Sequence, residues 1–401
     1  MNKKRVLIVS FYYPPISSIA SNRIYSFVKY LNKDIFDIDV VTVKSKEAID
    51  YKIFDNVSIY RISKNPLDYY LDSSSKNIFI RKLKALYNIL IKNIFFKLWQ
   101  VKSIKVILKL NKQKNYDIIL SSYAPKESHL IALKIKSKYT NIKWIADMRD
   151  EMSLNPFISA KEKKSLQIIE QNIFKHCDAI TTVSKPILDD FKKLSNNTKN
   201  ILFREIRNGY DFDINYKSIK NEKFIISYVG SFYGKIKADN FFKALYQFMN
   251  KYKVNDIEVR VVGNNNALII PKELNKYVKK IGLVSHEKAL EYMQISDALL
   301  LVHPDIGRKG VYTGKLFEYL AMQKIIIATI QKDSVAAELI KKANAGFIAN
   351  YSNIDEIVEI LYKSYSLWKN NKKLDFNLEI IKKHHRKEQV NRLEQLIKEI
   401  M

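Results

Sequence analysis

The chain has 401 residues, a length that favours two domains over a single hydrophobic core. Its 47% hydrophobic residues exclude a largely disordered protein, and its one cysteine, Cys177, excludes an internal disulfide and favours a reducing cytoplasm. The net charge of +28 predicts a polyanionic partner, either an anionic membrane or a nucleic acid, because such an excess costs self-repulsion.

The first half of the sequence predicts alternating strands and helices. The apolar run RVLIVSF is followed by two tyrosines and then Pro14-Pro15, so we expect a buried strand there and not a secretory signal peptide. A helix over 21–31, capped by Ser21, and a strand over 36–43 follow, and the alternation continues to about residue 206. Continuous apolar strands between amphipathic helices predict a parallel sheet that is covered on both faces.

Residues 73–116 form a strongly basic segment, with eleven Lys or Arg and no Asp or Glu. Its apolar residues recur at helical spacing, and no uninterrupted apolar run approaches the roughly 20 residues that span a bilayer. A basic amphipathic helix with Phe and Trp on one face suits an anionic membrane surface. A helix packed in the core with solvated lysines fits the same pattern, and so does a helix that binds nucleic acid.

A polar, turn-rich segment at 207–223 predicts a domain boundary, after which the alternation restarts. We therefore predict an α/β protein of two doubly wound Rossmann-like domains facing across a cleft, with ligands at the carboxyl ends of the strands. The predicted divisions are an acceptor domain over 1–208, a donor domain over 209–375, and a C-terminal helix within 376–401 that packs back toward the N-terminal domain.

The segment GVYTGKLFEYLA, residues 310–321, combines an anion-binding pattern with one carboxylate. A helix N-terminus attracts anions, Gly314 allows close approach of the backbone, and Lys315 adds a full charge. Glu318, one turn later, suits the paired hydroxyls of a ribose, so the segment predicts a nucleoside-diphosphate site. It is not a Walker loop, since Lys309 and Leu316 replace the required residues. The alternative is a helix on which Lys315 and Glu318 are merely solvated.

Several segments resemble one family. TGKLFEYLAMQKIIIA is similar to the donor-site segment of the group 1 (family 4) glycosyltransferases, which have the GT-B fold. KRVLIVSFYYPPISSIASNR, WIADMRDEMSLNP, CDAITTVSKPILDDF and ISYVGSFYGKIKADNFFKAL resemble, in the same order, segments of a bacterial surface-polysaccharide-assembly subgroup. The resemblance covers residues 4 to about 365. It implies transfer of a sugar from a UDP or GDP type of donor to a glycan or polyprenyl-linked acceptor, usually with retention.

The resemblance also implies the donor-site residues. In this family a basic pair after the first strand of the C-terminal domain holds the diphosphate, although this chain lacks the Arg that more often precedes the Lys. The family has two glutamates eight residues apart, of which Glu318 matches the second, whereas Gly310 stands at the position of the first. Asp305 and Arg308 are therefore expected to contact the donor sugar instead. The implied donor-binding residues are Gly230, Lys235, Lys237, Tyr312, Thr313, Gly314, Lys315, Leu316 and Glu318.

The catalytic and acceptor-side residues follow from the same resemblance. The family's usual active-site histidine is replaced by DMRD, in which Arg149 is expected to stabilise the leaving phosphate and Asp150 to orient or deprotonate the acceptor hydroxyl, with Glu318 as the third catalytic candidate. A structural Arg–Asp pair is the alternative. The acceptor-side candidates are Ser17, Ser18, Arg23 and His129, of which His129 also fits a surface histidine.

The sequence offers no metal-binding pattern, since DFD at 211–213 follows Asn-Gly and is read as a turn. We therefore expect no cofactor and no metal. The expected partners are the nucleotide-sugar, a glycan or polyprenyl-linked acceptor and the anionic inner face of the plasma membrane, with a cytoplasmic, peripheral location and no nucleic acid. Two other functions remain open: a non-hydrolysing nucleotide-sugar epimerase, and a non-catalytic protein that binds membranes or polyanions.

Overall fold

The computed structural model describes residues 3–45, 57–63, 78–196, 200–214, 221–232, 236–265, 268–305 and 307–401, with the backbone alone for 78–93. The chain divides into two compact units. The first unit comprises Met1–Arg207 and Gln389–Met401, and the second comprises Asn208–Glu388.

The first unit is built on a seven-stranded sheet in which all neighbouring strands are parallel, with the order β3-β2-β1-β4-β5-β6-β7. The strands are β1 Lys4–Val9, β2 Phe36–Val43, β3 Val57–Ile62, β4 Ile118–Ser122, β5 Lys143–Asp147, β6 Ala179–Thr182 and β7 Leu202–Glu205. The helices are α1 Ile19–Tyr30, α2 Ile78–Lys114, α3 Glu127–Lys138, α4 Ala160–His176 and α5 Lys185–Leu194, joined by the last helix of the chain, α12 Arg386–Ile400.

The second unit repeats this architecture with a six-stranded parallel sheet of order β10-β9-β8-β11-β12-β13. The strands are β8 Phe224–Val229, β9 Ile257–Val262, β10 Val278–Gly282, β11 Ala298–Val302, β12 Ile325–Thr329 and β13 Gly346–Ala349. The helices are α6 Asp239–Tyr252, α7 His286–Gln294, α8 Gly314–Ala321, α9 Val335–Lys342, α10 Ile354–Lys369 and α11 Leu378–Lys382, with a 3₁₀ turn at Lys272–Leu274.

Both sheets are covered on both faces, as the continuous apolar strands predict. In β1, Leu7 and Val9 pack on one face with Trp99 of α2, whereas Val6 and Ile8 pack on the other with α1 and α12. The second sheet likewise has one core under α6 and α10 and another under α8 and α9. The predicted fold class, two doubly wound α/β domains, is therefore confirmed.

An aspartate directly before a strand recurs in both sheets. Asp117, Asp178 and Asp297 precede β4, β6 and β11, and each accepts a 2.8 Å hydrogen bond from the backbone N–H of the second residue of a neighbouring strand. These carboxylates satisfy backbone donors at the amino ends of the strands, where no ladder partner is present. The opposite, carboxyl ends remain for the loops that carry the candidate site.

The basic segment forms one 37-residue helix, α2. Phe95 and Trp99 are buried in the core of the first unit, so the prediction that Phe and Trp form a membrane-facing surface is wrong for these two residues. A different face is exposed, on which Ile94, Leu98 and Val101 are 39–54% accessible. Within the described part of the chain, no helix has both the length and the apolar character needed to cross a membrane.

Candidate donor-binding site

Helix α8 begins at the carboxyl end of the second sheet and is fixed there by its apolar face. Leu316, Phe317 and Leu320 are buried in the core, and the Tyr319 hydroxyl accepts a 2.9 Å hydrogen bond from the backbone N–H of Val229, the last residue of β8. These contacts hold the N-terminus of α8 beside the loop that follows β8. The first turn is thus placed by packing, which leaves its polar groups available for binding.

The first residue ahead of this helix, Thr313, has an extended backbone with φ −73° and ψ 139°. Its hydroxyl does not cap the helix, and its Oγ1 atom is buried with no hydrogen-bond partner among the residues that the structure describes. A buried hydroxyl without a partner carries a desolvation cost. An anion at the N-terminus of α8 would remove that cost and accept from the unpaired N–H groups of the first turn.

The half-buried side chain of Lys315 lies between α8 and β8. Its Nζ atom lies 3.8 Å from the centroid of the Tyr228 ring, and a Cβ atom on Gly230 would lie only 2.6 Å from it. Gly230, with φ +140°, therefore makes room for the lysine, a role that the sequence did not reveal. Burial lowers the pKa of Lys315 to about 7, against the opposing effect of Glu318. An anion bound at this site would therefore favour the protonated, positively charged form of Lys315.

Glu318, one turn deeper in α8, is held by a residue that the sequence analysis missed. The Oε1 atom of Glu318 lies 2.9 Å from Nε2 of His286, the first residue of α7. The hydrogen bond to Glu318 is the main cause that raises the pKa of His286. Ser285, which caps α7, could have indicated that His286 starts a helix. The strand before it, β10, was not predicted, because it is a partly exposed edge strand with two lysines.

Two glycines bring the neighbouring loops of this edge together. A Cβ atom on Gly263, with φ +124°, would lie 2.3 Å from the carbonyl oxygen of Gly230, so the loops after β8 and β9 approach closely because Gly263 lacks a side chain. His303, directly after β11, is half-buried near Lys315 and Arg308, and burial lowers its pKa. The carboxyl edge of the second sheet is therefore compact and brings several basic side chains together.

The remaining predicted donor residues have different positions. Leu316 is fully buried and its backbone N–H donates to the Thr313 carbonyl at 3.1 Å, so it contributes packing and not a ligand contact, which corrects its predicted role. Tyr312 is also buried, with its ring 5.3 Å from that of Phe317. Lys237 is exposed and stays a prediction. Lys235 lies outside the described residues.

In the first unit, the catalytic candidates Arg149 and Asp150 lie directly after β5, at the carboxyl edge of that sheet. The Arg149 guanidinium donates a hydrogen bond to the Tyr123 carbonyl. Burial lowers the pKa of Arg149, opposed by the charges of Asp150 and Asp147. Both side chains are half-buried, and their catalytic roles remain predictions.

Arg23, predicted on the acceptor side, is instead part of a buried ion pair. Its guanidinium contacts both oxygens of Asp147, with Nη2 2.7 Å from Oδ1, and the Thr181 and Ser122 hydroxyls also donate to this carboxylate. Burial alone would raise the pKa of Asp147, but Arg23 and the hydroxyls outweigh it and hold the pKa below its usual value. The pair fixes the end of β5, two residues before Arg149, and leaves Arg23 inaccessible to an acceptor.

His129 differs from its predicted acceptor-side role, whereas Ser18 has an observed role as a helix cap and its acceptor-side role stays a prediction. His129 is completely buried, with Nδ1 2.7 Å from the Ser121 hydroxyl, and burial lowers its pKa to about 4. It is therefore neither an acceptor contact nor a surface histidine. Ser18 caps α1 by accepting from the backbone N–H of Ser21 at 3.0 Å, which also corrects the prediction that Ser21 is the cap. Ser17 is exposed and stays a prediction.

A cavity of about 620 Å³ lies at the opposite edge of the second sheet, by the amino ends of β11 and β12. Its charged lining residues balance, four lysines against four carboxylates. Asp297 and Asp256 in this lining already bind the Ile225 N–H and the Tyr365 hydroxyl, respectively. This cavity is a sheet length away from the N-terminus of α8 and is not part of the candidate site. Among the described residues, no three His, Cys, Asp or Glu side chains converge on a possible metal position.

The family comparison agrees with this geometry. Residues 223–366 match the model of the family described as glycosyl transferases group 1, and this range contains Gly230, His286, Thr313, Lys315 and Glu318. These residues are therefore similar to a group 1 glycosyltransferase domain. The match covers part of the second unit, so the resemblance found in the sequence is confirmed over residues 223–366, which carry the domain of a transferase enzyme. A comparison with curated proteins finds no match.

Solved structures show the same GT-B fold over nearly the whole chain. Sucrose-phosphate synthase from Thermosynechococcus elongatus is 12% identical, with a TM-score of 0.71 and 99% of each chain covered. The lipopolysaccharide outer core galactosyltransferase WaaB is 13% identical, with a TM-score of 0.60 and coverage of 99% of this chain and 100% of WaaB. TarM of S. aureus, in complex with fondaparinux, α-GlcNAc-glycerol and UDP, is 10% identical, with a TM-score of 0.62 and coverage of 98% and 99%.

Proposed function

We propose that this glycosyltransferase moves a sugar from a UDP or GDP type of donor to a glycan or lipid-linked acceptor in cell-surface polysaccharide biosynthesis. The observation that carries the proposal is the N-terminus of α8, where the buried Thr313 hydroxyl and the half-buried Lys315 side chain lie about one turn from the Glu318 carboxylate. The similar structures of a lipopolysaccharide galactosyltransferase and of TarM with UDP support this class of substrates.

The donor diphosphate binds at the first turn of α8 in this proposal. Its oxygens accept hydrogen bonds from the Thr313 hydroxyl and from backbone N–H groups, and Lys315 supplies a positive charge. The same groups stabilise the negative charge that develops on the diphosphate as the sugar leaves, so the proposal needs no metal. Glu318 accepts hydrogen bonds from the ribose hydroxyls.

Arg149 and Asp150 act on the acceptor side in this proposal. Asp150 orients or deprotonates the acceptor hydroxyl, and Arg149, held by the Tyr123 carbonyl, adds positive charge for the departing phosphate. The support for these roles is their position at the carboxyl end of β5, where ligands bind in doubly wound sheets. Retention of the anomeric configuration is the family's usual outcome and is proposed here on the resemblance alone.

The exposed face of α2 docks the enzyme on the anionic, cytoplasmic surface of the plasma membrane in this proposal. Ile94, Leu98 and Val101 are exposed at helical spacing, and Lys97 and Lys105 are exposed on the same side. Because residues 73–116 contain no acidic side chain, no carboxylate within the segment opposes its attraction to anionic lipid. Docking on this membrane surface would bring the enzyme to a lipid-linked acceptor.

Isothermal calorimetry with UDP and GDP tests the donor site. Glu318→Ala and Lys315→Met each remove one charge-assisted contact, for which we expect about tenfold to a hundredfold weaker binding. Lys235→Ala tests the family's basic pair in the same way. Lys309→Ala is the matched control, because Lys309 pairs with Asp333 on the surface, and it should bind as the wild type does. Wild-type affinity in the Glu318 and Lys315 variants would reject the proposed site.

A further inference from the structure

His286, the first residue of α7, contacts the Glu318 carboxylate of the neighbouring helix α8. The two residues come from different helices, and their 2.9 Å contact joins the first residue of α7 to the second turn of α8. Glu318 is mostly covered, at 21% side-chain exposure, whereas the His286 side chain is 64% exposed. An exposed ring held on a covered carboxylate adds little to the core, so the contact calls for another explanation.

We infer that His286 is a positioning residue, which fixes the Glu318 carboxylate in the orientation that binds the ribose of the nucleotide donor. The inference rests on the proposed function. A glutamate side chain loses rotamer freedom when it binds a ligand, and a bond to one of its oxygens removes part of that freedom beforehand. A carboxylate has about four acceptor positions, so the bond to His286 leaves room for two hydroxyls.

The charges around His286 make this positioning depend on pH. Glu318 on α8 and Glu287 on α7 favour the protonated ring, Arg386 on α12 opposes it, and partial burial opposes it too. The net effect raises the pKa of His286, with the hydrogen bond from its ring to Glu318 as the main cause. The contact is therefore strongest when the ring is protonated and weakens as the pH rises through the raised pKa.

The test compares UDP with 2′-deoxy-UDP, because their affinity ratio reports the ribose contact. We expect this ratio to fall about threefold to tenfold in His286→Ala. His286→Gln, whose amide also donates, should restore the ratio and make it independent of pH. Glu318→Gln should abolish most of the discrimination. His176→Gln, which changes a half-exposed histidine of the first unit, is the control and should leave the ratio unchanged.

The outcomes separate the inference from the proposed function. If Glu318→Gln keeps the wild-type ratio, Glu318 does not contact the ribose, and the ribose assignment in the proposed function fails. If Glu318→Gln lowers the ratio but His286→Ala does not, the donor site stands and the positioning role of His286 is overturned. The folding of each variant is checked by its thermal unfolding, which the exposed His286 should hardly affect.

Discussion

Lys315 illustrates how a single residue acquires chemistry from its surroundings. The sequence shows a lysine at a helix start, but the structure adds that Tyr228 covers its ammonium and that Gly230 makes room for it. Burial brings its pKa to about 7, so the free enzyme is near half protonation at this residue at neutral pH. A diphosphate beside the ammonium favours the charged form, and nucleotide binding should therefore take up a proton.

The affinity for UDP should fall as the pH rises from 6 to 9. Below the lowered pKa Lys315 is already charged, whereas above it each binding event must protonate the residue, so affinity decreases by up to about tenfold per pH unit. Calorimetry in buffers of different ionisation enthalpy measures the proton uptake directly.

Comparison with Lys315→Met removes the contribution from the ionisation of UDP itself. His286 acts in the same direction, so both proteins are measured with His286→Gln as background. If the His286→Gln protein shows the same pH profile and proton uptake as the His286→Gln, Lys315→Met double variant, this account of Lys315 is contradicted.

At the scale of elements, the sequence predicts those that are apolar and continuous. The apolar patterns of strand β2 and helix α8 are sufficient to predict these elements, and both have the predicted positions. Edge strand β10 was missed because its middle residues are two exposed lysines. The cap of α1 was assigned to Ser21 and not to Ser18 because several serines compete there and only the backbone decides between them.

Helix α2 shows the limit of a periodic pattern. Its composition predicts an amphipathic basic helix, but one sequence cannot tell which apolar face meets the core. The structure assigns Phe95 and Trp99 to the core and leaves Ile94, Leu98 and Val101 exposed.

The membrane prediction follows from that exposed face. Ile94→Glu with Leu98→Glu should abolish sedimentation with phosphatidylglycerol vesicles, because the change removes exposed apolar area and adds negative charge. Ile168→Glu is the matched control, since Ile168 is equally an exposed apolar residue of the first unit, and it should sediment normally. High salt should weaken the binding of the wild type. Sedimentation of the double variant at the wild-type level would rule out docking through this face.

At the scale of the whole molecule, the two-domain fold was predictable and many site contacts were not. Alternating apolar strands and amphipathic helices define two parallel sheets, whatever their detailed packing. By contrast, Arg23 meets Asp147 across 124 residues, and His286 meets Glu318 across 32. Such pairs depend on the order of strands in the sheet, which residue spacing does not encode. This is why Arg23 and His129 were assigned to the acceptor and His286 was missed.

The central claim is that the first turn of α8 binds the diphosphate of a nucleotide donor, and a crystal structure of the enzyme with UDP tests it most directly. The account predicts diphosphate oxygens within hydrogen-bond distance of Thr313 Oγ1 and Lys315 Nζ, with the ribose hydroxyls on Glu318. A diphosphate bound elsewhere in the second unit, with Thr313 and Lys315 unchanged, would contradict it.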